Sequence, residues 1–219
     1  MGSKAEFVHC HVHSQYSLLD GASRIKDLVR RAADCDMGAL AVTDHGVMYG
    51  AVEFYKTARE AGIKPLIGME AYVANGDRKV RANPGGGKPY GHLVLIAANQ
   101  QGYENLVRLN TIGHLEGYYH KPRVDHEVLS EFSEGLIALS ACIGGQVPAL
   151  VLQGKHQEAL DMAMRYKAIF GENFYLEVQD HGLAEQRAVN KAFLELSERT
   201  GIKLAATNDS HYTQPGDTK

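Results

Sequence analysis

Residues 23–45 read SRIKDLVRRAADCDMGALAVTDH and join a helical pattern to a short apolar strand. Apolar residues recur there at spacings of three and four, namely at Ile25, Leu28, Val29, Ala32 and Ala33. This spacing predicts an amphipathic helix, and Ser23 is placed to cap its start. The apolar run Ala39–Thr43 follows and predicts a buried strand. The stretch therefore predicts one unit of an α/β protein.

The same alternation continues along the chain. Seven apolar runs predict strands at Phe7–Val12, Ala39–Thr43, Pro65–Ala74, Leu93–Ala98, Leu136–Ala141, Phe174–Val178 and Leu204–Thr207. Further helical patterns cover Val52–Ala61, Tyr103–His114, His156–Phe170 and Glu185–Thr200. Alternating strands and helices indicate parallel β/α architecture, and seven such units favour a closed or nearly closed barrel over an open sheet.

The segment Asn75–Gly91 interrupts this alternation. It is rich in glycine, proline and basic residues, which predicts a mobile loop without regular structure. The chain contains no other segment typical of a linker between domains, so we expect residues 1–219 to form a single domain.

Composition and charge restrict the classes of function. The 219 residues are 44% hydrophobic and 22% charged, which excludes a disordered or fibrous chain. The sequence has neither an apolar run long enough to span a membrane nor an N-terminal signal peptide, so we expect a cytoplasmic protein without a membrane partner. A formal charge of -3 gives no basis for strong independent binding to nucleic acid. The three cysteines predict free thiols, or one lone metal ligand.

Metal-binding residue types collect at the predicted strand ends. His9, His11 and His13 alternate in the first run, and a His-x-His pair suits divalent zinc, manganese or iron. Other predicted strands lead directly into Asp44 and His45, Glu70, Cys142, and Asp209 and His211. Because functional sites form at the carboxyl ends of strands in barrels, we expect these side chains to converge. Imidazole, carboxylate and thiolate donors in this number indicate more than one ion.

Several candidates stay open on spacing alone. His92 opens a predicted strand, and it reaches the site only if that strand neighbours Glu70–Ala74; His120 is its rival. We expect His9 to be buried or to support a ligand, and Asp20 either to bind metal or to shape a turn. Asp44 either orients a ligand or caps a strand end. The other histidines are expected at the solvated surface, namely His114, His126, His156 and His181.

The motifs taken together resemble a known family. They are His11-x-His13-Ser14, Tyr16–Gly21 (YSLLDG), Thr43-Asp44-His45, Gly68-Met69-Glu70 and Asn208-Asp209-x-His211. They are similar to the polymerase and histidinol phosphatase (PHP) domain. Residues 62–72, Leu139–Cys142, Phe174–Glu177 and Ala206–Asp209 resemble the branch at the N-terminus of the alpha subunit of bacterial DNA polymerase III.

The resemblance implies a fold and a ligand set. The fold is a distorted (β/α)7 barrel of the PHP type, and the cofactors are two or three divalent ions of zinc, manganese or iron. It selects His92 over His120. The implied metal ligands are His11, His13, Asp20, His45, Glu70, His92, Cys142, Asp209 and His211.

The resemblance also implies an activity and partners. The activity is 3′-to-5′ exonuclease proofreading, with Glu70, Asp209 and His211 as catalytic residues. The partners are a DNA 3′ end, the remaining polymerase domains in cis and replisome subunits, and the chain is then an excised domain of a longer polymerase. The candidate DNA contacts are Arg78, Lys79, Arg81, Lys121 and Arg123, with a plain solvated surface as the alternative. Two other functions stay open, namely a free-standing small-molecule phosphatase and a non-catalytic metal-stabilised module.

Overall fold

The computed structural model describes residues 7–82 and 88–217. Its strands are β1 (Ala39–Val42), β2 (Lys64–Ala74), β3 (Tyr90–Ala97), β4 (Arg123–Val124), β5 (Leu136–Leu139), β6 (Phe174–Val178) and β7 (Lys203–Ala206). Its α-helices are α1 (Ile25–Asp34), α2 (Ala51–Glu60), α3 (Gln100–Leu115), α4 (His126–Glu131), α5 (Gln146–Leu152), α6 (His156–Phe170) and α7 (Ala184–Thr200). A short 3₁₀ turn, Gly171–Asn173, precedes β6.

The strands form one curled sheet in the order β1-β2-β3-β5-β6-β7, and β4 pairs beside β2. The expected α/β barrel architecture is confirmed, with one distortion. The prediction of parallel strands was wrong for β3, which runs antiparallel to both β2 and β5. The described residues between β2 and β3 form no helix, and the second strand returns beside the first. This reversal pairs His92 with Tyr72 at the end of the sheet where Glu70 lies.

The predicted first strand was wrong as a regular element. Residues 9–13 nevertheless lie between β1 and the segment after β7. The Ala41 and Thr43 N–H groups donate to His9 and Val12, and the His13 N–H donates to the Ser210 carbonyl. The Val12 N–H donates to the Thr43 hydroxyl, which takes the place of a backbone acceptor and interrupts a regular ladder. Residues 9–13 thus close the curled sheet and bring His11 and His13 to it.

The helices were largely predicted, apart from their starts and the short elements. The bounds of α6 are as predicted, and α2, α3 and α7 shift by one to three residues. Ser23 does not cap α1: Arg24 occupies the N-cap, and the Ser23 hydroxyl donates to the carbonyl of His211. The two-residue strand β4 and the short helices α4 and α5 were not predicted, because each is too short to show a period.

Apolar packing lies on both faces of the sheet. Helices α3, α5, α6 and α7 cover the outside with a cluster centred on residues such as Leu95, Leu106 and Phe193. A smaller cluster, including Ala41, Val94 and Leu139, fills the inside of the curl. No helix in the described ranges is long and apolar enough to cross a membrane. The inside of the curled sheet is therefore filled with apolar side chains, and the polar side chains lie at one end of the strands.

The basic segment after β2 was only partly predicted. Residues 83–87 lie outside the described part of the chain. The prediction of a mobile loop was wrong at Arg78, which is buried and held by carboxylates, and Tyr90 and Gly91 belong to β3.

Candidate metal centre

Two histidines and one aspartate form the deepest part of the site. His11 and His13 are fully buried, and their Nε2 atoms lie 3.1 Å apart. The Oδ1 atom of Asp209 lies 3.2 Å from each of these nitrogens. Asp209 follows β7 with a φ of 45°, a left-handed conformation that costs energy for a residue with a side chain. The turn after β7 is therefore strained in the position that brings the carboxylate to both imidazoles.

Glu70 lies at the centre of the cluster. It sits in β2 and is 1% exposed. Its Oε1 lies 3.4 Å from Nε2 of His11 and 2.9 Å from Nδ1 of His92, and its Oε2 lies 2.5 Å from Nδ1 of His45. One carboxylate thus touches imidazoles that come from three separate segments of the chain.

A more exposed group forms the rim. The Oδ2 of Asp20 lies 3.3 Å from Nε2 of His45 and 3.9 Å from Nε2 of His211. Nδ1 of His211 lies 3.6 Å from Oδ1 of Asp209, which joins the rim to the deep part. Asp20 is half exposed and therefore faces the solvent at the mouth of the site.

Cys142 adjoins the cluster from β5. It follows Ala141, whose φ of 63° is also left-handed, and its Sγ accepts from the Gly144 N–H at 3.5 Å. Burial and the nearby Glu70 and Asp209 raise the pKa of the thiol to about 12. Without a cation beside it, this sulfur stays protonated; a bound divalent ion reverses that preference.

The charges of the cluster are strongly coupled. Burial alone would raise the pKa of Glu70, yet His92 and His11 hold it well below its usual value. Burial alone would lower the pKa of His11, yet nearby carboxylates, first Glu177 and then Asp209, raise it well above its usual value. The carboxylates therefore stay ionised in a buried place, which requires compensating positive charge.

The chemistry of the donor atoms fits divalent ions. His45 Nδ1, Glu70 Oε2 and Asp209 Oδ1 are buried and make no hydrogen bond of acceptable geometry. Three sets of three residues could each hold an ion, because the donor atoms within each set lie within 4.8 Å of one another. The sets are His13 with His45 and His211, His11 with His13 and Glu70, and His45 with Glu70 and His92. Buried acceptors that face each other without a proton are stabilised by a cation between them. These residues are therefore suited to hold divalent metal.

The structure separates the remaining histidines. His92 lies at the cluster, whereas the rival His120 is exposed and its ring contacts that of Tyr119 at a tilted angle. The surface prediction was wrong for His126, which is 9% exposed and hydrogen-bonded to Gln146. Burial, with the nearby Arg165, lowers the pKa of His126 to about 4. His9 is partly buried beside Phe7, away from the cluster.

Two of the candidate DNA contacts have other partners. Arg78 is 7% exposed, and its guanidinium donates to Glu116, Asp125 and Glu127. Arg123 is 2% exposed and donates to the backbone carbonyls of Gly117, Arg78 and Val80. The guanidinium groups of both arginines are thus engaged within the chain, which argues against the predicted DNA contacts.

The other three basic candidates remain accessible. Lys79 and Arg81 are exposed, and Lys121 is partly buried. The ammonium of Lys121 lies 5.4 Å above the ring centre of Tyr72, whose ring also contacts His45 and His92. Gly46 allows Tyr72 and Pro122, the residue after Lys121, to pack closely against the backbone, because a Cβ at Gly46 would come within 2.9 Å of both. Lys121 is thereby held beside the cluster.

Two buried carboxylates support the histidines from below. Asp44 accepts from the Ser17 hydroxyl at 2.8 Å, and Ser17 in turn bonds Nδ1 of His13 at 2.9 Å. Asp44 therefore reaches His13 through Ser17, a contact that favours the interpretation of Asp44 as an orienting residue. Glu177 lies 2.7 Å from Nδ1 of His11 and was missed. The available signal was a carboxylate inside the apolar run Phe174–Val178, where a buried charge needs a partner.

The curled sheet and the histidine–carboxylate cluster at one end define an α/β barrel with a candidate metal centre. Solved structures share this fold: an amidohydrolase from Chromobacterium violaceum superposes with a TM-score of 0.60 at 17% identity, covering 96% of this chain and 88% of that one. A protein from Bifidobacterium adolescentis described as a metal-dependent phosphoesterase gives 0.58 at 15% identity, covering 99% and 93%. The chain belongs to the PHP domain family, whose model matches residues 9–181.

Curated relatives include DNA polymerase III subunit alpha from three bacteria. The identity is 46% with the Borreliella burgdorferi protein and 49% with the Treponema pallidum protein, each over 99% of this chain, and 46% with the Thermus aquaticus protein over 100%. The chain spans only 18–19% of the length of these relatives.

Proposed function

We propose that this chain is the PHP domain of a bacterial replicative DNA polymerase III alpha subunit and a metal-dependent phosphodiesterase that removes nucleotides from DNA 3′ ends. The proposal rests on the contact of Asp209 with both His11 and His13, beside Glu70. Acceptor atoms of this cluster are buried and make no hydrogen bond, as a metal site requires. The similarity to DNA polymerase III alpha subunits along the chain supports the DNA substrate and a cytoplasmic location.

The proposed metal ligands fall into three groups according to their position in the site. His11, His13 and Asp209 would hold one ion, and His92 with Cys142 a second. Glu70 is placed to bridge these two, and Asp20, His45 and His211 would hold a third at the rim. Divalent zinc, manganese or iron bound there would lower the pKa of water and neutralise charge on the phosphoryl group.

Three of these residues are proposed to be catalytic because of where they lie in the site. Glu70 is buried, Asp209 is 16% exposed, and both are ionised, so they fix the deep imidazoles relative to one another. His211 lies at the rim, 20% exposed, where the reacting phosphate enters. Glu70, Asp209 and His211 are therefore the proposed catalytic residues, since each faces the place where charge develops in the transition state.

Substrate delivery depends on the rest of the polymerase. The chain has a net charge of -3, so its own affinity for DNA is expected in the non-specific range of about 10⁻⁴–10⁻⁶ M. Lys121 is the proposed phosphate contact beside the cluster, with Lys79 and Arg81 further out. Other polymerase domains in cis, with replisome subunits, would present the 3′ end.

An exonuclease assay tests the proposal. A primer–template with a mismatched 3′ end is compared with a small phosphomonoester, using the metal-loaded chain. Release of 3′ nucleotides that is lost in Asp209→Asn is the expected result. Preference for the phosphomonoester would instead assign a small-molecule phosphatase, and cleavage of neither substrate would assign a non-catalytic module.

A further inference from the structure

Glu177 is a buried carboxylate directly beneath His11. It is 2% exposed, and its Oε1 lies 2.7 Å from Nδ1 of His11. The same oxygen accepts from the Gln179 amide at 2.8 Å and from the Thr207 hydroxyl. The N–H of Glu177 donates to the Ser140 hydroxyl at 2.8 Å, which anchors the backbone. The carboxylate is thus fixed by His11 and by donors that follow the ends of β6 and β7.

This contact determines which way His11 presents its lone pair. An ionised carboxylate is only an acceptor, so the hydrogen bond requires the proton of His11 on Nδ1. In the neutral ring that a metal ion requires, the other nitrogen, Nε2, then carries the lone pair, and it faces His13 at 3.1 Å and Asp209 at 3.2 Å. The opposite tautomer would aim an N–H into the cluster and leave Glu177 without this donor.

The neighbouring histidine has a weaker version of the same support. Nδ1 of His13 bonds the Ser17 hydroxyl, and only Ser17 reaches the carboxylate of Asp44. Because that hydroxyl donates its proton to Asp44, it accepts from Nδ1 of His13, and the negative charge lies one group further from the ring. A direct carboxylate makes the opposite ring nitrogen more basic, which strengthens a metal–imidazole bond. Of the two histidines, only His11 has this direct contact with a carboxylate at Nδ1.

We propose that Glu177 is the positioning residue of this centre and sets the metal affinity of the pocket formed by His11, His13 and Asp209. It acts through His11 and does not touch the substrate. The inference rests on the metal-binding part of the proposed function and is independent of which phosphoester is cleaved.

Metal affinity measured by competition with a chelator tests this role in the folded chain. Glu177→Gln keeps the shape and removes the charge, and Glu177→Ala removes the contact. Each is expected to weaken the binding of Zn²⁺ or Mn²⁺ about 10–100-fold. Excess metal should restore hydrolysis in the Glu177 variants by mass action, but not in Asp209→Asn.

A matched control separates positioning from general destabilisation. Asp125→Asn alters another buried carboxylate, which partners Arg78 and caps α4 away from the cluster. It should lower the melting temperature and leave metal affinity unchanged. If Glu177→Ala does not fold, Thr207→Val removes one donor to the same carboxylate and should still weaken metal binding several-fold.

Wild-type metal affinity in both Glu177 variants would overturn the proposal. A wild-type chain that binds metal tightly but cleaves no DNA would remove the proposed activity and leave the Glu177 comparison intact. A wild-type chain that takes up no ion would overturn both.

Discussion

The Oδ1 atom of Asp209 lies 3.2 Å from the Nε2 atom of His13, although the two residues come from opposite ends of the chain. The contact exists because residues 9–13 close the sheet against the segment after β7, where Ser210 bonds both His11 and His13 through the backbone. Closure of the fold and assembly of the site are therefore one event. Metal binding should consequently stabilise the whole fold.

Chelation should lower the melting temperature of the metal-loaded chain. Ions bind the folded state and bridge segments that separate on unfolding, so their removal withdraws that stabilisation; at a hundredfold excess over the dissociation constant the effect is about 2.7 kcal/mol. Calorimetry with and without chelator, at equal ionic strength, measures it. Identical melting curves would show that the cluster holds no ion.

Lys121→Met should weaken DNA binding and reduce the salt dependence. One lost phosphate contact lowers the slope of log affinity against log salt by about one. Lys64→Met is the matched control, since Lys64 is exposed at the start of β2 and is not among the candidate DNA contacts. The Michaelis constant over a salt series measures the effect. Equal slopes for the Lys121 variant and the wild type would exclude the contact.

Arg78→Met should destabilise the fold without affecting metal content. The substitution leaves the buried Asp125 carboxylate uncompensated, which costs about 3 kcal/mol. Denaturant unfolding measures the loss, and Lys79→Ala should be neutral beside it. The double variant Arg78→Met/Asp125→Asn should recover part of the stability. A stable Arg78→Met chain with weakened DNA binding would restore Arg78 as a DNA contact.

His126 should make the metal-free chain lose stability in acid. Its folded-state pKa of about 4 lies below the ordinary value of 6.5, because burial disfavours the imidazolium. Between these values the unfolded chain binds more protons, so stability falls as the pH is lowered from about 6.5 toward 4. His126→Gln should reduce this slope in denaturant unfolding over a pH series. An unchanged slope would mean that His126 does not titrate there.

The sequence was sufficient for the fold class because strand and helix periods are strong in the long elements, such as α6 and β2. It was sufficient for the convergence of Glu70, Asp209 and His211 because these residues follow apolar runs. The antiparallel direction of β3 depends on how the chain returns after β2, which periodicity does not reveal. The family resemblance was needed to choose His92.

Electrostatic partners were the hardest to predict. Arg78 looked accessible because the segment Asn75–Gly91 around it is rich in glycine and charge, and Arg123 was a candidate as a basic residue outside that segment. Arg78 is held by carboxylates from residues 116–127, and Arg123 by the carbonyls of Gly117, Arg78 and Val80. No local sequence pattern contains these long-range contacts. Glu177 was missed for the same reason, since its partner His11 lies at the far end of the sequence.

Stepwise metal reconstitution tests the central claim, that the cluster is a hydrolytic metal centre. Metal-free chain is titrated with Mn²⁺ or Zn²⁺ while bound metal and nucleotide release from a mismatched DNA 3′ end are followed together. We predict uptake of two or three ions, release that begins as they bind, no release in His11→Ala or Asp209→Asn, and wild-type behaviour in His156→Ala, whose side chain is exposed. Absence of uptake, or equal release by all of these variants, would contradict the account.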